Sequence, residues 1–270
     1  MPAVSVIVPI YGVEDYIAKC ARSLMAQTYK DVEFIFVNDG TKDRSMEILD
    51  TVLDPTRNIK IINKENGGLP RARLTGLKAA TGKYIMHLDS DDWIEPNAVE
   101  LLVEKAEETG ADLIYYDFWK EYRTRSKLDH ERTYTIADKK KWMRRLYNNR
   151  AYGYVWCKFA KRELYKDIYA PKYNMHEDIV FSTQLLYRAQ SFAQLSVPLV
   201  HYIRTNGSSA TRLAHAKRRI QSTRNLLDFY ANGGPEIAVV RRQLLNKCFW
   251  RALRYDRSLF KEYPFLEFSL

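Results

Sequence analysis

Residues 3–116 alternate short apolar runs with amphipathic stretches. Val4–Ile10 is an almost unbroken apolar run, the pattern of a strand buried on both faces. Tyr11 and Gly12 break it, and Ile17, Cys20, Ala21 and Leu24 then recur at helical spacing within Glu14–Gln27. A second buried strand is predicted over Val32–Val37, ending at Asn38-Asp39-Gly40, with Asp43 placed to cap a helix through Met46, Ile48 and Leu49. Ile59–Ile62 reads as a third strand and Pro70–Ala80 as a helix stopped by Thr81-Gly82. Tyr84–Leu88, a helix over Pro96–Glu108 and a strand over Leu113–Tyr116 complete the alternation. The pattern predicts an α/β fold with a mostly parallel central sheet flanked by helices. Its polar loops, 9–12, 38–43, 65–73 and 89–92, all fall at the carboxyl ends of strands, where such sheets bind ligands.

The character changes after Asp117. Residues 118–136 read as an irregular hairpin, and Asp138–Asn148 as an amphipathic helix with Trp142, Met143, Leu146 and Tyr147 on one face. The aromatic segment Tyr152–Phe159 follows, then a short helix over Lys161–Tyr165, a helix opened by His176 and running to Gln190, and an apolar strand Leu195–Ile203. Two further helices are predicted, Leu213–Ala231 and Pro235–Leu259, with no internal repeats.

No apolar run approaches the roughly 20 residues needed to span a bilayer, and the N-terminal apolar run lacks the basic lead and cleavage site of a signal peptide. Three widely spaced cysteines, Cys20, Cys157 and Cys248, read as reduced thiols. A cytoplasmic protein is expected. The net charge of +10 is uneven: from His201 onward thirteen Lys and Arg face five acids. A basic tail of this kind suits nucleic acid, anionic lipid, an acidic substrate or simply a solvated helix face.

The chemistry concentrates at Asp89-Ser90-Asp91-Asp92, directly after the buried strand 84–88. Charge at the end of an apolar strand is costly unless compensated, and like charges this close raise one another's pKa. A bound divalent cation removes both problems, since hard oxygen ligands suit Mg²⁺ or Mn²⁺. The alternative is a solvated acidic turn whose Asp92 caps the helix starting near Pro96. Neither a G-x-x-x-x-G-K-[ST] loop nor a G-x-G-x-x-G after a strand is present, which argues against phosphate-loop hydrolases and nicotinamide dehydrogenases. Arg71 and Arg73, on the first turn of the 70–80 helix, are placed to pair with phosphate oxygens or to form a surface face.

Five pieces stand in order: Val6-Ile7-Val8-Pro9-Ile10-Tyr11, Asn38-Asp39-Gly40-Thr41-Lys42-Asp43, Glu65-Asn66-Gly67-Gly68, Arg73 with Thr75-Gly76, and Asp89-Ser90-Asp91-Asp92. Together they make residues 3–95 resemble the nucleotide-sugar-binding half of family 2 glycosyltransferases with the GT-A fold. The resemblance implies a catalytic domain over 1–210, with a Rossmann-like nucleotide-sugar half at 1–116 and an acceptor half at 117–210, followed by a basic helical extension at 211–270. It implies that Pro9, Tyr11 and Asp39 cradle a uridine, and that Asn66, Gly67, Arg73, Asp89, Ser90 and Arg204 complete the nucleotide-sugar site. The acidic turn becomes the DxD motif that holds Mn²⁺ or Mg²⁺. Asp91 is expected as the direct ligand, Asp89 as a ribose or water-mediated contact, and Asp92 as structural or, in a shifted register, as a ligand. Asn38 stands where the family usually has Asp; retained Asp39 preserves base recognition, with a changed nucleotide preference as the alternative.

His176-Glu177-Asp178-Ile179-Val180-Phe181 resembles the family's Glu-Asp motif, which implies Asp178 as the catalytic base and Glu177 as its or the acceptor's orienting partner. The plainer reading is a charge pair favoured at a helix N-terminus. Val155-Trp156-Cys157-Lys158 resembles the segment preceding that motif, so Trp156 and Lys158 are expected at the acceptor, with a core Trp as the other reading. His201 is expected as a late metal or phosphate contact, or else as structural, and Tyr202-Ile203-Arg204 with Gly207-Ser208-Ser209 resembles a closing loop. The implied activity is a metal-dependent, inverting transfer from a UDP-sugar to a hydroxyl of a glycan or lipid-linked glycan, in polysaccharide assembly, without nucleic acid. In 235–259, apolar Ile237, Val240, Leu244, Phe249, Trp250 and Leu253 interleave with arginines. That mixture suits a peripheral contact with anionic lipid on the inner face of the plasma membrane, or packing on the catalytic domain or a second copy in a homodimer. A sugar-1-phosphate nucleotidyltransferase is the rival enzyme, and it lacks its Gly-rich loop after the first strand; a basic nucleic-acid-binding protein is the rival outside enzymes.

Overall fold

A computed structural model of the chain describes residues 2–130, 135–148, 151, 153–204 and 212–266, with the side chains of 212–216 excepted. Its strands are β1 (Val4–Ile10), β2 (Val32–Asn38), β3 (Asn58–Asn63), β4 (Tyr84–His87), β5 (Trp93–Ile94), β6 (Leu113–Tyr122), β7 (Arg125–Asp129), β8 (Lys158–Lys161) and β9 (Phe192–Ile203). Its α-helices are α1 (Ile17–Met25), α2 (Ser45–Asp50), α3 (Leu69–Ala79), α4 (Ala98–Thr109), α5 (Lys139–Tyr147), α6 (Glu177–Arg188), α7 (Arg212–Asn232), α8 (Ile237–Tyr255) and α9 (Ser258–Glu262). Among the described residues no helix is long and apolar enough to cross a membrane.

The chain divides into two compact units. The first comprises Met1–Ile136, Trp156–Lys166 and Ala189–Asn206 and holds every strand among the described residues, in the order β3-β2-β1-β4-β8-β6-β9-β5 with β7 on β6. Strands β3, β2, β1 and β4 are parallel. The chain winds outward from β1 to β3 and then returns through α3 to place β4 on the other side of β1. That reversal is a topological switch point, and the crevice beyond it is where open parallel sheets take ligands. Strand β1 is buried along its whole length, as its unbroken apolar run requires. Helix α3 lies so close to it that a Cβ on Gly76 would stand 2.3 Å from Ile7 Cγ2.

Beyond β4 the sheet is mixed. Strand β8 runs antiparallel to both β4 and β6, and β9 runs parallel to β6. The register of β9 slips where Pro198 falls opposite Asp117, since proline has no N–H for the ladder. Of the irregular hairpin expected over 118–136, residues 118–129 form a hairpin with regular register between β6 and β7, and 131–134 lie outside the described residues. Strands β5 and β8 carry too few residues to show a period.

The second unit comprises Ala137–Val155, Asp167–Arg188 and Gly207–Leu270. Helices α7 and α8 pack on each other, α8 packs on α5, and Arg144 Nε donates to Val239 O at 3.2 Å. Within this unit α7 also touches α6, and α6 packs on α5. The apolar members of α8 are split. Val240, Leu244, Leu245, Cys248 and Ala252 are buried, whereas Trp250 is 59 % and Leu253 37 % exposed.

Candidate active site

The loops that leave the parallel strands of the first unit are laced together by short polar side chains. Gly12, at φ +68°, turns the chain out of β1, and its N–H donates to Thr41 Oγ1 at 2.9 Å. Thr41 in turn donates to Asp43 Oδ1 at 2.7 Å, and Asp43 also accepts from the Ser45 N–H at 3.1 Å and the Glu14 N–H at 3.0 Å. Burial pushes the Asp43 carboxyl up, but the hydrogen bonds from Ser45, Thr41 and Glu14 outweigh it and hold it at about 2. Asp43 thus ties the start of α2 to the loop after β1. Pro9 is buried within β1, and Tyr11, just beyond its end, is 56 % exposed.

Asp39 is the organising acid of the next loop. It is buried, ion-paired to Lys64, and accepts from the Gly67 N–H at 3.0 Å and the Gly68 N–H at 2.8 Å. The Asn66 side chain donates to the Asp39 carbonyl at 3.0 Å. Asp39, Asn66 and Gly67 therefore form one turn, and Gly40, at φ +69°, leaves it room, because a Cβ there would stand 3.0 Å from the Asn66 nitrogen. Asn38 accepts from the Thr41 N–H at 2.9 Å and donates to Asn63 Oδ1 at 2.9 Å. An aspartate could do the first but not the second. Lys64 is a member of this set that pattern reading missed; its sequence signal is position directly before the Glu-Asn-Gly-Gly turn.

Arg73, fully buried on α3, places Nη2 2.7 Å from Asp89 Oδ1 and joins the 65–73 segment to the acidic turn. The turn closes through the Asp92 N–H donating to Asp89 O at 3.0 Å. Ser90 is buried inside it. Burial, then the charge of Asp89, pushes the Asp91 carboxyl up to about 6. Asp92 is pushed well above its ordinary range by burial and then by Asp91 and Asp89. Helix α4 starts at Ala98 behind Asn97, so Asp92 caps nothing; its Oδ1 accepts the Ile203 N–H at 2.8 Å and latches β9 to the turn. Two desolvated, mutually repelling carboxylates fit a hard divalent cation. Among the described residues no three His, Cys, Asp or Glu side chains gather as a complete metal site. Asp91 and Asp89 would therefore leave most of an ion's coordination to ligand oxygens and water.

Three expected contacts are placed differently. The ring nitrogens of His201 face Glu121 Oε1 at 2.7 Å and Glu95 Oε1 at 2.9 Å, and the ring stacks on Trp93 at 4.7 Å. Both nitrogens are engaged, which leaves none for a metal or phosphate. Trp156 is 1 % exposed and packs edge-on against Phe118, so the core reading holds for it and no ring face is open to a sugar. Lys158 is fully buried on β8, with its ammonium 5.4 Å from the centre of the Tyr115 ring, and it has no surface for an acceptor. Arg204 is exposed, its guanidinium 5.9 Å from the Tyr202 ring, and its N–H donates to Glu121 O at 2.7 Å. Gly207-Ser208-Ser209 lie outside the described residues.

In the second unit, Glu177 and Asp178 open α6. Glu177 is buried, and half-buried Asp178 accepts the Val155 N–H at 3.3 Å. Segment 153–155 lies tight on this turn, since a Cβ on Gly153 would stand 2.7 Å from Ile179 Cγ1. The residue before them, His176, has a φ of +65°, uncommon outside glycine.

The glycosyl transferase family 2 model matches residues 5–169. The uncharacterized glycosyltransferase EpsJ of Bacillus subtilis is 34 % identical over 80 % of this chain, which spans 64 % of that protein's length. The crystal structure of Staphylococcus aureus TarS 1–349 in complex with UDP-GlcNAc superposes with a TM-score of 0.67, at 20 % identity, over 94 % of this chain and 82 % of that one. The mannosyltransferase PcManGT of Pyrobaculum calidifontis, in complex with GDP-Man and Mn²⁺, gives a TM-score of 0.58 at 16 % identity over 96 % of this chain and 74 % of its own. At those identities the two structures show a shared GT-A-like fold.

The raised Asp91 pKa makes a stability prediction. The fold holds this proton more tightly than the unfolded chain does, so the residue's penalty is absent below about pH 4 and grows as pH rises through 6. In EDTA at pH 7.5, Asp91→Asn is expected to melt higher than the parent by at least about 3 °C, the shift that roughly 1 kcal/mol gives a domain of this size. At pH 4 the two should melt together, and an equal gap at both pH values would contradict the assignment.

Proposed function

The chain belongs to glycosyl transferase family 2, and from that premise we propose that it transfers a sugar from a nucleotide diphosphate to a hydroxyl of a glycan or lipid-linked glycan, with inversion, in polysaccharide biosynthesis. UDP is the first-choice nucleotide. The observation that carries the reading is the continuity of the loops at the switch point: Asp39 shapes the 64–68 turn, α3 follows that turn, and Arg73 of α3 meets the DxD turn at Asp89.

In this reading Tyr11, Asp39 and the 66–67 turn receive the base and ribose, and Arg204 supplies positive charge to the diphosphate. Asp91, with Asp89, would hold Mn²⁺ or Mg²⁺, which when bound stabilises negative charge on the departing diphosphate. Asp178 takes the proton of the acceptor hydroxyl as that oxygen bonds to the anomeric carbon and the bond from that carbon to the diphosphate oxygen breaks. Glu177 orients the acceptor or the base.

The site is tested by thermal shift with UDP-, GDP- and dTDP-sugars, with and without Mn²⁺. At 100-fold excess over Kd a ligand adds about 2.7 kcal/mol of apparent stability. A UDP-sugar is expected to stabilise the parent only with the metal and to leave Asp91→Ala unmoved; indifference of the parent to every nucleotide sugar would end the proposal. Asp178→Asn should keep that stabilisation and lose about 10²–10⁴ in turnover, and undiminished turnover would remove Asp178 from the role.

The same proposal includes a peripheral contact with an anionic membrane surface, resting on exposed Trp250 and Leu253 beside exposed Arg242, Arg254 and Arg257. Co-sedimentation with phosphatidylglycerol vesicles, absent with phosphatidylcholine alone and lost in Trp250→Ser/Leu253→Ser, is the expected result. Equal sedimentation of parent and variant would exclude this face.

A further inference from the structure

Helix α6 starts from a residue that the backbone alone does not favour. At φ +65°, His176 occupies the left-handed region, which a side chain of this size adopts only where its surroundings hold it there. Its carbonyl accepts the Val180 N–H at 3.3 Å, the first hydrogen bond of the turn that carries Glu177 and Asp178. What holds His176 comes from the basic C-terminal helices.

Asn225 on α7 grips the approach to it. Its Oδ1 accepts the Tyr173 N–H at 2.9 Å, and its Nδ2 donates to Tyr173 O at 2.6 Å and Met175 O at 2.8 Å. Ser222 lies three residues earlier on the same helix face and donates its hydroxyl to His176 Nδ1. Arg251 on α8 donates to Ser222 Oγ at 2.7 Å, and the same Nη1 stands 3.2 Å from His176 Nδ1. All three helper residues are buried. Burial, and then the charges of Arg251, Lys247 and Arg219, push the His176 imidazole down to about 2, so Nδ1 stays an acceptor through the neutral range.

We propose that Asn225, Ser222 and Arg251 are positioning residues for the transfer reaction, acting through His176 to fix how the first turn of α6 presents Glu177 and Asp178. The inference rests on the reading of Asp178 as the base. A seam between helices needs no buried guanidinium, and apolar side chains of similar volume stabilise such contacts at least as well. Here the polar groups converge on the strained residue directly before the acid pair. A displacement of about 1 Å in a reacting group costs on the order of 10²-fold in rate. The network therefore bears on turnover more than on donor binding.

The test uses Arg251→Met and Ser222→Ala in the full chain, with the nucleotide sugar that stabilises the parent as donor and release of nucleoside diphosphate as readout. Each variant is expected to lose at least about tenfold in kcat with the donor KM within about twofold. The double variant should fall no further than the worse single one, because both act through one imidazole. Amide exchange followed by mass spectrometry should quicken over 177–180 and stay unchanged over 84–88. His176→Asn, which tolerates the left-handed conformation and keeps an acceptor, should retain activity that His176→Val loses. Unchanged kcat in both Arg251→Met and Ser222→Ala overturns the proposal, as does a loss that tracks melting temperature with no change in exchange over 177–180. Asp178→Asn run in parallel separates the two levels. Normal turnover there defeats the base assignment, whereas a dead Asp178→Asn beside normal Arg251→Met and Ser222→Ala defeats the positioning role alone.

Discussion

A guanidinium without access to solvent, that of Arg73, faces the Asp89 carboxylate at 2.7 Å, and the character of the acidic turn follows from it. Breaking such a pair by removing one partner typically costs about 3–5 kcal/mol, because the other charge stays buried. Asp89 and Arg73 are therefore bound to each other's position. The pair offsets one negative charge of three. Asp91 and Asp92 remain desolvated beside it, and both carboxyls rise. Asp92 is engaged with the Ile203 N–H, which leaves Asp91 as the carboxylate with the most to gain from a cation. Three adjacent acids thus have three employments, each set by what lies across from it.

Much of the first unit was legible because its signal is local. Strands β1 to β4 are apolar runs, and a parallel strand covered on both faces needs little more. Strands β5 and β8 were not legible, since two and four residues carry no period and exist as strands only because β9, β4 and β6 offer them partners. The same limit decides the side chains. Asp39, Asn66 and Gly67 could be named from their turns, but the hydrogen bonds that unite them cross 27 to 29 positions of sequence. Trp156 in the core and a tryptophan open to a sugar have the same neighbours in sequence; rings from distant positions, Phe118 and Tyr202 among them, distinguish the two. His201 is similar, because the two glutamates that occupy its ring lie 80 and 106 residues away.

The C-terminal helices show the converse. Their charge and their apolar stripe were plain, and both suggested a surface element. What composition conceals is the polarity turned inward: Ser222, Asn225 and Arg251 are buried, and all three reach the segment before α6. A serine or asparagine within a helical pattern is ordinarily read as neutral filler, because its partner is not local.

Gly76 ties the two turns to the sheet in another way. With Ile7 Cγ2 2.3 Å from where a Cβ would be, α3 sits closer to β1 than any side chain at this position would allow. Arg73 lies three residues before that contact, and Leu69, at the helix start, follows the Asp39 turn directly. Helix α3 thus fixes the spacing between the Asp39 turn and the acidic turn that Arg73 holds at Asp89. A change in the length of α3 would therefore shift the two turns against each other, whereas a substitution at exposed Glu65 leaves the Gly76 contact and the Arg73–Asp89 pair in place.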